Sequence, residues 1–331
     1  MFPGWTLGWL ALAAITPFFW CLLGRDAVFI GDALHHHYPA QAIFSRLLAA
    51  APARLPLWNP WQYCGSPLLA DPQFMALYPP ALLYRLLPFP QAYGTFLAFH
   101  ALLALTGMAV FLRGRGASPA AAGLGAIGFA LGAGPACLAG TPPVLAAFSW
   151  LPWIACLAAR LATSGRVRDG AALGLVFAWQ ALAGYPQEVL YGVVLAVVLV
   201  LFMRPARGPG VASVLAALGV ALAASAAALI PFGSYLAETA RGGALASAEA
   251  ALGAAKPWDL LSFVTPFATL PASRETWVGV GTQWTTLHAC GALALVLAVT
   301  AAAHSSTATS SRARSAMTPR PCTRQPCAHV S

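Results

Sequence analysis

Between Gly31 and Pro80 the sequence gathers side chains that could do chemistry: Asp32, His35, His36, His37, Tyr38, Trp58, Asn59, Gln62, Asp71, Gln73 and Tyr78. A shorter group, Tyr185, Gln187 and Glu188, occupies the turn Tyr185-Pro-Gln-Glu188. Both groups combine a carboxylate, a Gln, a Pro and a Tyr. Flat aromatic faces beside amides suit the apolar face and the hydroxyls of a sugar ring. A carboxylate nearby suits removal of a hydroxyl proton. Plainer readings stand beside these. Asp32 precedes an apolar-periodic run through Leu48, so it serves equally as a helix N-cap. Trp58 and Trp61 fit an aromatic belt at a membrane interface, which leaves Asn59 and Gln62 unexplained. Glu188 opens a helix and complements its dipole, although a carboxylate at a membrane edge is costly unless it is used.

The three consecutive histidines do not form a metal cluster on a helix, because successive side chains point about 100° apart and the i+4 partner of His35 is Pro39. One of them can meet an anionic group. A divalent metal is compatible with these residues, but no ligand set indicates one, and no cofactor is implied. The cysteines lie in or at the ends of apolar runs, alone in a loop (Cys64), or near the C-terminus without zinc-ligand spacing. Gly123-Leu-Gly-Ala-Ile-Gly128 matches G-x-G-x-x-G formally but sits inside an apolar run with no preceding strand, so it reads as a close-packing helix face.

The elements that must position these residues are apolar helices. Of the 331 residues, 59% are hydrophobic and 8% charged, against about 25% charged in a soluble domain. The expected fold is an all-α, polytopic transmembrane bundle in a lipid bilayer. Its spans fall at about 5–23, 93–112, 119–139, 144–161, 171–184, 189–203, 211–230 and 286–303. The first is read as a membrane helix, lacking the basic n-region of a signal peptide. The spans at 171–184 and 189–203 are short, which would draw the turn between them below the membrane surface. Outer loops are expected at 24–92 and 231–285. The Ser, Thr, Arg and Pro stretch at 304–331 reads as a disordered tail or as the product of a shifted frame.

The net charge of +9 comes from arginines scattered in short clusters, not from a phosphate-binding face, so no nucleic-acid partner is implied. Alternate loops carry Arg113 and Arg115; Arg160, Arg166 and Arg168; Arg204 and Arg207. The turns at 140–143 and 185–188 carry no Lys or Arg. The positive-inside rule therefore puts the arginine loops and the N-terminus in the cytoplasm. The 24–92 loop, both short turns and the 231–285 loop then share the opposite face.

The carboxylate after the first span, the string LPLWNPWQYCGSPLLADPQFMALYPP at 55–80 and AGYPQEVLY at 183–191 resemble the bacterial YfhO-type membrane proteins. A weaker match is Lys256 to Pro266 followed by Trp277-Val-Gly279. That family is similar to the GT-C superfamily of polytopic glycosyltransferases, and the resemblance covers roughly residues 5 to 300. It implies a multi-pass protein of the bacterial inner membrane, a polyprenyl-phosphate sugar donor and a glycan, lipid or protein acceptor. It places the site at the extracytoplasmic face, with Asp32 as the first-loop acid. Trp58, Asn59, Gln62 and Asp71 would line the sugar site, with Gln73, Tyr78, Tyr38 and Tyr185 around it. Gln187 and Glu188 would bind substrate hydroxyls, and Arg25 or His35 would meet the phosphate. The chain departs from the pattern in lacking an Asp-x-Asp pair beside Asp32 and in its length, which suggests a truncated member. The rival expectation is a non-enzymatic transporter of lipid-linked sugars or an envelope-assembly component.

Overall fold

The computed structural model describes residues 8–9, 12, 15–24, 32–52, 54–62, 64–132, 138–203 and 211–239. Arg25, the expected span at 286–303, nearly all of the second outer loop and the tail lie outside the described residues. The structure is 80% helical, hence all-α, with one two-strand hairpin among the described residues.

Helices of eight residues or more run in the order α1 (Tyr38–Ala50), α2 (Phe89–Gly114), α3 (Pro119–Leu131), α4 (Pro142–Ser149), α5 (Leu151–Ser164), α6 (Val167–Leu182), α7 (Pro186–Met203) and α8 (Val211–Glu238). The sequence marks most of their starts with proline. α1 to α5 each carry Pro in the first two positions, where its missing N–H costs no hydrogen bond and its fixed φ suits the helix. Ser118 adds a cap to α3, its Oγ accepting from the Ala121 N–H at 3.2 Å.

Among the described residues four stretches are long and apolar enough to cross a membrane: Phe89–Gly114, Pro142–Ser164, Pro186–Met203 and Ala212–Glu238. α4 and α5 supply the second of these, adjoining at Trp150. α7 begins at Pro186, three residues ahead of the expected span, and its 18 residues reach about 27 Å, close to the thickness of a hydrocarbon core. α6 has 16 residues, and its first turn carries Asp169. α3 stops at Leu131, short of the expected 139. α8 does not stop at Ile230 but continues through Pro231 to Glu238. A proline normally breaks a helix by removing one N–H and crowding the carbonyl four residues back. In an apolar setting the chain gains nothing by unwinding into loop, and the helix carries on.

Packing divides the bundle. Ile154, Leu173, Phe177, Val200 and Val214 form a core between α5, α6, α7 and α8. Met75, Tyr78, Tyr93, Phe96, Leu145 and Ala183 form a second core, against which Ala139 and Tyr185 pack. This second core draws the turns at 71–80, 138–143 and 183–188 to one end of the bundle. At the α5–α6 connection Asp169 is fixed by Arg160 Nη2 at 3.0 Å and Ser164 Oγ at 2.5 Å. The Ser164 hydrogen bond, with Arg160, Arg168 and Arg166 near, holds its carboxyl below the usual range.

Candidate functional site

The strand pair β1 (Trp58–Asn59) and β2 (Ser66–Pro67) is antiparallel, with Trp58 opposite Pro67 and Asn59 opposite Ser66. Its tight connection leaves Gly65 at φ +113°, directly under the Trp58 ring. A Cβ there would stand 2.6 Å from Trp58 Cζ2. Only glycine adopts that backbone and leaves room for the indole. Trp58 therefore lies flat on the hairpin while 55% of it stays exposed.

The exposed ring faces α8. Between them opens a cleft of about 730 Å³, lined by Trp58, Ser66, Pro67, Ser234, Tyr235 and Glu238 among others. Its size lies within the range of about 300–1,000 Å³ typical of small-molecule sites. The Ser66 Oγ is buried and has no hydrogen-bond partner. A separate crevice of about 20 Å³ on α8 is lined by Asp71, Met75, Leu182, Leu229 and Phe232 among others, room for about one water.

Asn59 and Gln62 shape the hairpin and do not line the cleft. Asn59 is fully buried. Its Oδ1 accepts the Trp61 N–H at 3.1 Å, and its Nδ2 donates to Gln62 Oε1 at 3.0 Å. Gln62 Nε2 in turn donates to His36 Nδ1 at 3.3 Å, which leaves the His36 proton on Nε2. These bonds fasten the Trp58 hairpin to the one-turn π-helix Ala33–His37.

Asp71 caps the 3₁₀ turn Pro72–Phe74, its Oδ1 accepting the Gln73 N–H at 2.9 Å. Burial raises its carboxyl above the usual value, opposed by that bond and by His36 nearby. Gln41 of α1 donates to the Phe74 carbonyl at 2.8 Å. The Tyr185 turn docks onto the same loop. Gly184 has φ +89°, and a Cβ on it would lie 2.1 Å from the Pro72 carbonyl oxygen.

Tyr78 is buried and serves the bundle. Its hydroxyl donates to His100 Nε2 at 2.8 Å and accepts from Trp150 Nε1 at 3.0 Å. The His100 Nδ1–H donates to the Phe96 carbonyl at 2.7 Å, and this bond leaves Nε2 as the acceptor. Burial keeps the Tyr78 hydroxyl well above the ordinary tyrosine range. Each polar atom in this Trp150–Tyr78–His100 relay therefore has its partner.

No protein-family model matches the chain, and no curated protein or solved structure matches it.

The other expected residues fall as follows. Asp32 is exposed at the start of the π-helix, and its side chain makes no capping bond. The N-cap expectation therefore fails: the backbone of Asp32 is already helical, with φ −63° and ψ −24°, whereas a cap needs an extended residue. His35 is exposed. Tyr38 sets its ring edge-on to Phe89, with centroids 4.1 Å apart. Gln187 is exposed and donates to the Tyr191 hydroxyl. Glu188 is only 7% exposed, and its Oε2 has no partner. Beside it Gln180 is fully buried, its Nε2 donating to the Glu188 and Ala147 carbonyls. Among the described residues no group of three metal-ligating side chains converges. His37 is buried with both ring nitrogens unpartnered, and burial, aided by His36, lowers it to about 3. Ser234, Tyr235 and Glu238 are the residues that sequence reasoning missed. Their signal was a Ser-Tyr-x-x-Glu cluster closing an apolar run, masked by Pro231.

Proposed function

We propose that the protein is an integral membrane glycosyltransferase of GT-C-like architecture. In this reading it has about eight spans, its N-terminus is cytoplasmic and its site faces the outer side of a bacterial inner membrane. It moves a sugar from a polyprenyl-phosphate donor to a glycan, lipid or protein acceptor. The observation that carries the reading is the cleft of about 730 Å³ at the end of the bundle, with the Trp58 ring on one wall and Ser234, Tyr235 and Glu238 on the other. An aromatic face opposite hydroxyl and carboxylate groups matches a pyranose ring, one face of which is C–H and the rim O–H.

The chemistry is an inverting displacement. An acceptor hydroxyl oxygen attacks C1 of the donor sugar, the C1–O bond to phosphate breaks, the hydroxyl proton passes to a carboxylate, and polyprenyl phosphate leaves with the bond's electron pair. Asp32 is the base in this reading, and Arg25 or His35 meets the leaving phosphate. Asn59, Gln62 and Asp71 act by holding the Trp58 hairpin and the loop beside it. The test is transfer of labelled sugar from a lipid-linked donor in proteoliposomes. Full activity in an Asp32→Ala variant would remove Asp32 from the mechanism, and no transfer from any such donor would remove the reaction.

A second reading is a non-enzymatic transporter or assembly component for lipid-linked sugars. It is favoured by Asp32, which is exposed and does not line the cleft. Translocation of a lipid-linked sugar without bond cleavage would decide for it.

A further inference from the structure

The charge lining the cleft selects among its candidate occupants. Among the described residues that line it there is one carboxylate, Glu238, and no Lys, Arg or His. The separate crevice on α8 adds Asp71 and again no base. A phosphodiester placed here would meet like charge with no donor cation, the reverse of the Arg- or Lys-lined geometry that phosphate recognition uses. An uncharged polyol meets no such opposition. It finds an indole face for its C–H side, and hydroxyls and a carboxylate for its O–H side. Among the described residues neither the Tyr235 hydroxyl nor the Glu238 carboxylate is engaged elsewhere in the protein, whereas Asn59, Gln62 and Asp71 are already bonded within the loop. Gly65 shows how specific the platform is, because any Cβ at that position would strike the underside of the indole.

We infer that this cleft is the subsite for the uncharged, hydroxyl-bearing end of a glycan, the acceptor side of the reaction, and that the donor's phosphate binds outside it. Trp58 is the stacking platform, Tyr235 contacts a ring hydroxyl, and Glu238 accepts a hydrogen bond from the hydroxyl nearest α8. The acceptor role rests on the glycosyl-transfer reading; the binding of a neutral sugar does not.

The experiment uses the full chain in lipid nanodiscs. Cellobiose, maltose and N,N′-diacetylchitobiose are titrated one by one, and glucose 1-phosphate in parallel, with calorimetry as the readout. At least one neutral disaccharide should bind, and more than tenfold tighter than glucose 1-phosphate. Trp58→Ala and Glu238→Gln should each weaken it tenfold or more, and Trp58→Phe should stay within about threefold because a ring remains. Thermal unfolding of each variant checks the fold, and the Glu238→Gln variant keeps the inference testable if the Ala variant does not fold. The inference is overturned if none of the three disaccharides binds, if a folded Trp58→Ala variant or the Glu238→Gln variant binds as the wild type does, or if glucose 1-phosphate binds as tightly as the neutral sugars. A Trp58-dependent affinity for a neutral disaccharide in a protein that transfers nothing from any lipid-linked donor would refute the transfer reading and leave the subsite standing.

Discussion

Gly116 and Gly184 hold nearly the same left-handed backbone, φ +88° and +89°, in different surroundings. Gly116, in the connection between α2 and α3, has nothing within 4 Å of a Cβ. At Gly184 the same Cβ would lie 2.1 Å from the Pro72 carbonyl oxygen, 2.8 Å from its carbon and 3.4 Å from the Gln73 nitrogen. Alanine at Gly116 therefore incurs the left-handed conformation alone, about 1–2 kcal/mol. Alanine at Gly184 incurs that same cost plus a clash with backbone, which cannot swing aside as a side chain would. Forced overpacking adds about 1–3 kcal/mol, for a total of about 2–5 kcal/mol. Unfolding of the two variants and the wild type in detergent micelles measures the difference directly. The expected order is wild type, then Gly116→Ala, then Gly184→Ala. Equal losses, within about 0.5 kcal/mol, would refute the docking of the Tyr185 turn onto the Asp71 loop, and with it the single polar end of the bundle.

Tyr78→Phe should cost about 2–4 kcal/mol, because it strands the half-buried Trp150 N–H and the buried His100 Nε2 together; unfolding in micelles measures it, and a change below about 0.5 kcal/mol would contradict the relay. His37 sits at about 3 in the fold against about 6.5 unfolded. The unfolded chain therefore takes up the proton first, so stability falls as pH drops from about 6.5 towards 3 and is retained above that window. Comparing wild type with His37→Leu at pH 7 and pH 4.5 should show the gap move by about 2 kcal/mol in favour of the variant on acidification, and an unchanged gap would place His37 in water. Glu188→Gln should keep or raise stability by up to about 3 kcal/mol, because it replaces a buried carboxylate whose Oε2 is unpartnered; a clear loss in the same unfolding assay would mean that the charge is paired.

The helices were legible because their cause is local. Apolar runs long enough to span a membrane marked α2 and the α4–α5 stretch to within two to four residues at each end, but read α4 and α5 as one span. α8 was misjudged at Pro231 because the helix-breaking rule belongs to water, where a freed carbonyl is solvated. The joining of the Asp71 and Tyr185 turns was legible as shared composition, and its physical cause, Gly184 against the Pro72 carbonyl, was not. Asn59 and Gln62 looked like ligands of a sugar because amides are; their burial and mutual bonds depend on where the hairpin folds back, which no spacing encodes. Trp58 was legible as part of an aromatic cluster, suited alike to an interfacial belt and to a sugar platform. Its opposite wall lies at the far end of the described chain, and only the packing of α8 against the loop brings Tyr235 and Glu238 to it.

Pro231 bears on the cleft in a further way. Without its N–H, the ladder of α8 lacks one rung just where the wall of the cleft begins, so the segment carrying Ser234, Tyr235 and Glu238 is joined to the rest of that helix by one hydrogen bond fewer. From the proline to Glu238 is about 10 Å of helix, and a bend of about 10° at that point would carry the carboxylate roughly 2 Å toward or away from the indole. The two walls thus behave differently: the hairpin is pinned by Asn59, Gln62 and His36, and the opposing wall is sprung. For the glycan subsite proposed above, one fixed and one yielding wall would admit sugars of different ring substitution against a single stacking plane.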